Sequence, residues 1–450
     1  MRRERDQLAA TLAVLVVALL FAWPALINAY PIVFSDTHAF LVQAGQPRMV
    51  WDKPWTYGPF LLALHGNTTL WLPLAAQTLM LSHLLWLLAA SLGQASPRRH
   101  FLLGALLAAG SAAPWFASLL MPDIFAPIAV IGLYLIAFPG DLGLWQRRWI
   151  VILTTAAIAF HLSHLIVAAS CIAAILCLRP RALLPAGLPL AAALAILLAT
   201  NIAGHGRAAI SPYGSVFALA RLTADGLTAP VLARECPAAG WHLCAWRDRL
   251  PATSNEFLWN GDGPVWTHPG GAIGFAPEAT AIVVATLRHG PLAALRAAAA
   301  NTITQLGRVA LDDTLGPDWL ESSIAGSLRA YFPPEEQARF RAARQLHDSI
   351  RPLAIPLNPV DRALLLIGAA GTAASLLRSG RAFALIVLVG VLANAVATGA
   401  LSGPHDRYQA RIAWLVLLPP ALLALRSVPG PRPRPETSAP AAHSRSAASR

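Results

Sequence analysis

Residues 9–28 read AATLAVLVVALLFAWPALIN, twenty positions without an acid or a base, and residues 29–41 continue as AYPIVFSDTHAFL. Twenty apolar residues in an α-helix reach about 30 Å, the thickness of a bilayer's hydrocarbon core. The run follows MRRERD, a basic start of the kind that secretory signals carry. No small-x-small cleavage site appears in LINAYPIVF, so the segment is expected to remain as a first span. The residues after it raise the functional question, because Asp36 and His38 stand close to the expected membrane boundary.

Nine further windows repeat the pattern: 70–92, 101–119, 124–139, 149–162, 164–178, 183–201, 363–378, 382–401 and 412–426. None carries an acid or base before its last residue, where Arg378 and Arg426 end two of them. A charge at bilayer depth costs at least a few kcal/mol, so this depletion is expected of spans. Across the chain 56% of residues are hydrophobic and 12% charged, about half the charged share of soluble domains. The expected fold is therefore all-α, a polytopic bundle of about ten spans.

With the N-terminus placed inside, the short loops SPRRH, DLGLWQRR, LRPRA and LRSGR and both termini share one face. They hold sixteen Lys and Arg against four acids, whereas the opposite face has eighteen of each. The formal net charge of +12 thus lies wholly on one side, as the positive-inside rule requires. The charge balance indicates anionic lipid and gives no reason to expect a nucleic-acid partner. The expected location is a bacterial inner membrane, multi-pass, with both termini cytoplasmic.

The chain divides into an N-terminal membrane module (1–201) with a first periplasmic loop at 29–69, a periplasmic domain (202–362), a C-terminal membrane module (363–426) and a disordered cytoplasmic tail (427–450). In the first loop, WDKPWTYGPF suits two short helices on the bilayer, with Trp51, Trp55 and Tyr57 at headgroup level. The 202–362 segment has fourteen bases and fourteen acids and turns helical from Pro277, with a break at Gly290-Pro291. A segment this long is usually functional. Cys236 and Cys244 fall within it, eight residues apart, and are expected to form a disulfide on an oxidising face; Cys171 and Cys177 lie in a span.

Polar residues that this topology returns to the outer face are Asp36, His38, Asp123 in LLMPDIFAP, His161 and His164 in AFHLSHL, and His405, Asp406, Arg407 and Arg411 in SGPHDRYQAR. Acids, imidazoles and arginines at a lipid–water boundary suit group transfer from a membrane-anchored phosphate. A carboxylate takes a proton from an attacking hydroxyl, and arginines hold phosphate bidentately. Each residue also has an ordinary role open to it. Asp36 stands where a helix N-cap would, Asp123 after Pro122 suits a turn, the histidines suit a satisfied core, and GHGR at 204–207 is a weak phosphate-nest signal.

The layout resembles the GT-C superfamily of membrane glycosyltransferases. The resemblance rests on YPIVFSDTHAFL after the first span, MPDIF in the second outer turn, the helical TLRHGPLAALRAAAANT, and a late outer HDRY before a span containing Pro419-Pro420. It implies a polyprenyl-phosphate sugar donor, a glycan, lipid or protein acceptor, Asp36 as the catalytic base and Asp123 as the second acid. His38, His161, His164, His405, Arg407 and Arg411 would then contact substrate, and the cofactor to look for is a divalent cation, Mg or Mn. The chain departs from the pattern in lacking an adjacent acidic pair in the first loop, where the next acid is Asp52. Two other readings stay open, an O-antigen-type polysaccharide polymerase or ligase and a non-catalytic component of envelope assembly. A transporter would place ionisable groups at mid-bilayer, which the charge-free windows argue against.

Overall fold

The structure, a computed structural model, describes residues 2–46, 49–378 and 380–427. The tail expected from residue 427 thus lies, from 428 onward, outside the described residues. Among the described residues the fold is all-helical, with no strand beyond a single parallel bridge between Ile32 and Leu119.

Every expected window is occupied by helix, but among the described residues only five helical segments are long and apolar enough to cross a membrane. These are Trp71–Ser91, Pro180–His205, Arg351–Ser375, Arg381–Leu401 and Asp406–Leu425; a sixth arises if the bent pair Gly214–Ala224 and Ala229–Glu235 is taken as one span. The other windows hold shorter or interrupted helices, and proline accounts for several breaks because it lacks the N–H that the helical ladder needs. Arg2–Phe21 gives way to Trp23–Asn28 at Pro24, and Pro97–Gly110 to Ala113–Ser118 at Pro114. Large apolar side chains stand uncovered on these helices, Leu184 at 83%, Trp145 at 77% and Leu366 at 73%. Such a surface is stable against lipid and not against water, which marks a membrane protein.

The segment 202–362 is shared between two cores. Tyr213, Leu219, Phe257, Phe275 and Ile282 build a separate one, whereas Leu311, Ile324, Phe340 and Ile350 join the main core of the helical bundle. Buried polar groups fasten that later part to the first loop. Glu336, almost fully buried, accepts from the Tyr30 hydroxyl and the Leu70 N–H, both at 2.8 Å. Gln345 accepts from Val33 N–H and donates to the Val33 and Thr314 carbonyls, and its own N–H donates to Asn28 Oδ1. These bonds set the path of residues 28–36, and with it the position of Asp36.

The first loop forms the two expected short helices, Thr37–Gly45 and Tyr57–His65. Its aromatics are placed differently from the expectation. Tyr57 is fully buried and donates to Gln77 Oε1 at 2.5 Å, because its ring completes a cluster with Phe40, Phe60, Phe125 and Phe160. Trp51 stacks on Phe217 of the second core instead of lying free. The sequence GHGR forms no phosphate nest. It ends the helix Leu183–His205, with Gly206 in the left-handed conformation (φ 64°) that helix stops favour.

Cys236 and Cys244 are bonded as expected, while Cys171 is buried and Cys177 exposed. A bridge closing so short a loop contributes about 2.5 kcal/mol on the loop-entropy account. Reducing it is expected to lower the thermal stability of the second core, read as an earlier loss of near-UV circular dichroism with the membrane helices still intact. An unchanged melt after complete reduction would contradict this.

Candidate functional site

Arg407 and Arg411 are four residues apart on the short helix Asp406–Ala413, so both guanidinium groups leave from one face. Asp123 faces them from the 3-10 turn Pro122–Ile124. Its Oδ1 lies 3.4 Å from Arg411 Nη1 and 3.6 Å from Arg407 Nε. Arg407 then reaches outward, with Nη1 3.9 Å from Asp36 Oδ2. Asp36 Oδ1 in turn meets the Lys53 ammonium at 3.2 Å, and Lys53 also pairs with Asp52. Side-chain exposure rises along this row, from 0% at Arg411 and 1% at Asp123 through 7% at Arg407 to 31% at Asp36. The row thus runs from a buried end at Arg411 to a partly exposed one at Asp36, its mouth.

Distant elements hold it in place. The Ile32–Leu119 bridge, with Ile32 N–H donating to Ser118 and Leu120 N–H to Ile32, draws the first loop onto the turn that carries Asp123. Thr37 Oγ1 donates to Leu120 O at 3.1 Å in the same place. Arg411 is further held by Ser163 Oγ at 2.8 Å and Asn394 Oδ1 at 2.9 Å. Arg407 lies over the Phe34 and Tyr408 rings, and its backbone N–H donates to Asp313 Oδ2. Arg407 Nη1 and Arg411 Nε, though buried, make no hydrogen bond within the protein. Buried guanidinium N–H groups normally find acceptors, so these two are donors with capacity left over.

Asp36 is at the N-terminus of Thr37–Gly45, but its carboxylate caps no backbone N–H. Burial would raise its pKa; Lys53 and Arg407 outweigh that and hold the carboxyl below its ordinary value of 3.8. The same pairing raises the Lys53 ammonium despite its burial. The stabilisation from the Asp36 pairs is therefore fully present above pH 3.8 and is lost only as pH falls through the lower folded value.

The histidines divide. His161 and His164 sit 5.3 Å apart beside the arginine end; His161 Nδ1 shares a hydrogen bond with Ser163 Oγ, and His164 Nδ1 donates to Ala157 O at 2.6 Å. His164 Nε2 has no partner in the protein. His38 points elsewhere, to Ser327 Oγ at 2.7 Å, and burial lowers its pKa. His405 is held through its backbone, donating to Gln305 Oε1 and accepting from Gln305 Nε2. Burial also sets its imidazole below the usual value, with Asp313 opposing.

Sequence reading overlooked Lys53, Ser163 and Asn394. For Lys53 a signal was available, since it is the sole lysine among thirty-four basic residues. Its ammonium lies between Asp36 and Asp52.

The residues do not fit a divalent cation. Asp36 and Asp123 already face protein cations, and among the described residues no group of three or more His, Cys, Asp or Glu converges on one point. The charges of Asp36 and Asp123 are thus met by Lys53, Arg407 and Arg411. Two small cavities lie away from the row, one lined by Gln94, Tyr134 and Phe383 and the other by Trp23, Trp115 and Asp361. Compared with protein-family models, curated proteins and solved structures, the chain matches none.

Proposed function

We propose that this protein is an integral-membrane glycosyltransferase that moves a sugar from a polyprenyl-phosphate donor to a periplasmic-side glycan, lipid or protein acceptor. In this reading all ten windows cross or enter a bacterial inner membrane, both termini are cytoplasmic, and most of 202–362 projects into the periplasm. The observation that carries it is the row Asp36–Arg407–Asp123–Arg411, graded from open to buried and flanked by Lys53.

Each group has a task. Asp36, at the mouth, takes the proton of the acceptor hydroxyl as its oxygen bonds to the anomeric carbon. The bond from that carbon to the phosphate oxygen breaks, and polyprenyl phosphate leaves with the electron pair. Arg407, with spare donor capacity at Nη1, and Lys53 meet the growing phosphate charge. Asp123 and Arg411 position Arg407 and do not touch substrate.

The arrangement also couples donor binding to basicity. Without donor, Lys53 and Arg407 neutralise Asp36 and make it a weak base. A phosphate that attracts the two cations loosens their hold on the carboxylate, which becomes a better base only when donor is present. The test is transfer from radiolabelled polyprenyl-phosphate sugars by the purified full-length protein in lipid nanodiscs. Because the donor set does not suit a divalent ion, transfer is expected to be undiminished by EDTA; restoration of lost activity by Mg or Mn would overturn that point.

A further inference from the structure

Four aromatic rings from separate parts of the chain meet beside the mouth of the charged row. Trp51 stacks on Phe217 with centroids 5.2 Å apart, and lies 5.7 Å from Trp259 and 6.3 Å from Trp266. Trp51 and Phe217 pack on the second core, so the group has a rigid base. Trp259 and Trp266 stay open, at 47% and 41% exposure. Trp266 is fixed by its indole N–H, which donates to Leu258 O at 2.8 Å. Fixed, exposed rings on a rigid base cost little order to bind against.

Two features decide what they bind. First, the turn that joins Trp259 to Trp266 is polar, with Asn260 and Asp262 exposed. The exposed aspartate in the turn between the two tryptophans is an acceptor that acyl chains would leave unpaired. A sugar ring suits both parts, its C–H face lying on the indoles and its hydroxyls reaching the amide and the carboxylate. Second, the platform runs into the row. Lys53 Nζ lies 5.8 Å from the Trp259 ring and 3.2 Å from Asp36 Oδ1, which places ring and carboxylate within about 9 Å of each other.

We infer that Trp259 and Trp266 form a carbohydrate-binding platform that seats a saccharide acceptor with its reacting hydroxyl toward Asp36. This rests on the proposed function for its role as acceptor site, while the sugar binding stands by itself. It narrows the acceptor to a glycan or a glycan-bearing molecule.

The test is saturation-transfer NMR on the full-length protein in nanodiscs, with three hexasaccharide probes prepared from dextran, mannan and galactan. Magnetisation transfer to the C–H protons of at least one probe is expected in the wild type. Binding should weaken on the order of tenfold in the double variant Trp259→Ala with Trp266→Ala, the loss of about 1.4 kcal/mol of ring contact. Trp259→Phe should restore part of it, and Trp145→Ala, on an exposed helix remote in sequence, should leave it intact. No transfer to any probe, equal binding by the double variant, or loss instead of affinity for phosphatidylglycerol vesicles overturns the inference, the last identifying the patch as a membrane anchor. Donor binding by the wild type is measured separately with radiolabelled polyprenyl-phosphate sugar. Its absence would defeat the glycosyltransferase reading and leave the sugar result to decide the platform.

Discussion

Asp36→Asn is expected to reduce sugar transfer by about 10²–10⁴-fold, the usual contribution of a positioned general base. The amide keeps the shape of the side chain and cannot accept the proton. The fold should tolerate the change. Asp36 is partly open, it caps no backbone group, and Lys53 retains Asp52 as a partner. The variant should therefore elute like the wild type and melt slightly earlier, having lost the stabilisation of the Asp36 pairs, while failing in the transfer assay. Donor affinity should be kept or slightly raised, because Arg407 and Lys53 are then freer for phosphate. A polymerase or ligase working on diphosphate-linked glycans would use the arginines without this acid, and a non-catalytic assembly component would need neither. An Asp36→Asn protein with full activity would remove the proposed mechanism.

Arg411→Ala is expected to act chiefly on stability, with a loss of about 3–5 kcal/mol, the range for breaking a buried ion pair by removing one member. Arg411 is fully enclosed and bonds Asp123, Ser163 and Asn394. Truncation leaves Asp123 with Arg407 Nε at 3.6 Å as its remaining cation and frees two acceptors, the buried Asn394 Oδ1 and the half-buried Ser163 Oγ. Equilibrium unfolding in mixed micelles reads this directly. A companion variant separates folding from function. Arg411→Lys keeps a cation beside Asp123 and should recover part of the stability, so any transfer lost through unfolding should return with it. Wild-type stability in Arg411→Ala would show that this end of the row does not organise the bundle.

Much of the fold was legible in the sequence. The lengths of apolar runs and the absence of charge within them specify helices, since lipid leaves backbone groups no partners outside the segment. The Cys236–Cys244 pairing followed from an eight-residue spacing, whereas the helix that puts Arg407 and Arg411 on one face appears only in the structure. Composition and periodicity act locally, so they decide such features without reference to the rest of the chain.

The tertiary structure decided the rest. Tyr57 reads as an interfacial aromatic and is a core residue, because Phe40, Phe125 and Phe160 close around it. His38 reads as a neighbour of Asp36 and turns to Ser327, since positions two apart on a helix face different ways. Ser163 and Asn394 carry no local mark of function, and acquire one only when Arg411 arrives between them. The electrostatic state of Asp36 depends on residues 17 and 371 positions away, Lys53 and Arg407, and on the Ile32–Leu119 bridge and the Gln345 contacts that bring the first loop to meet them. Coulomb energy falls with distance in space and takes no account of separation along the chain, so a sequence can supply the charges while packing alone sets which of them meet.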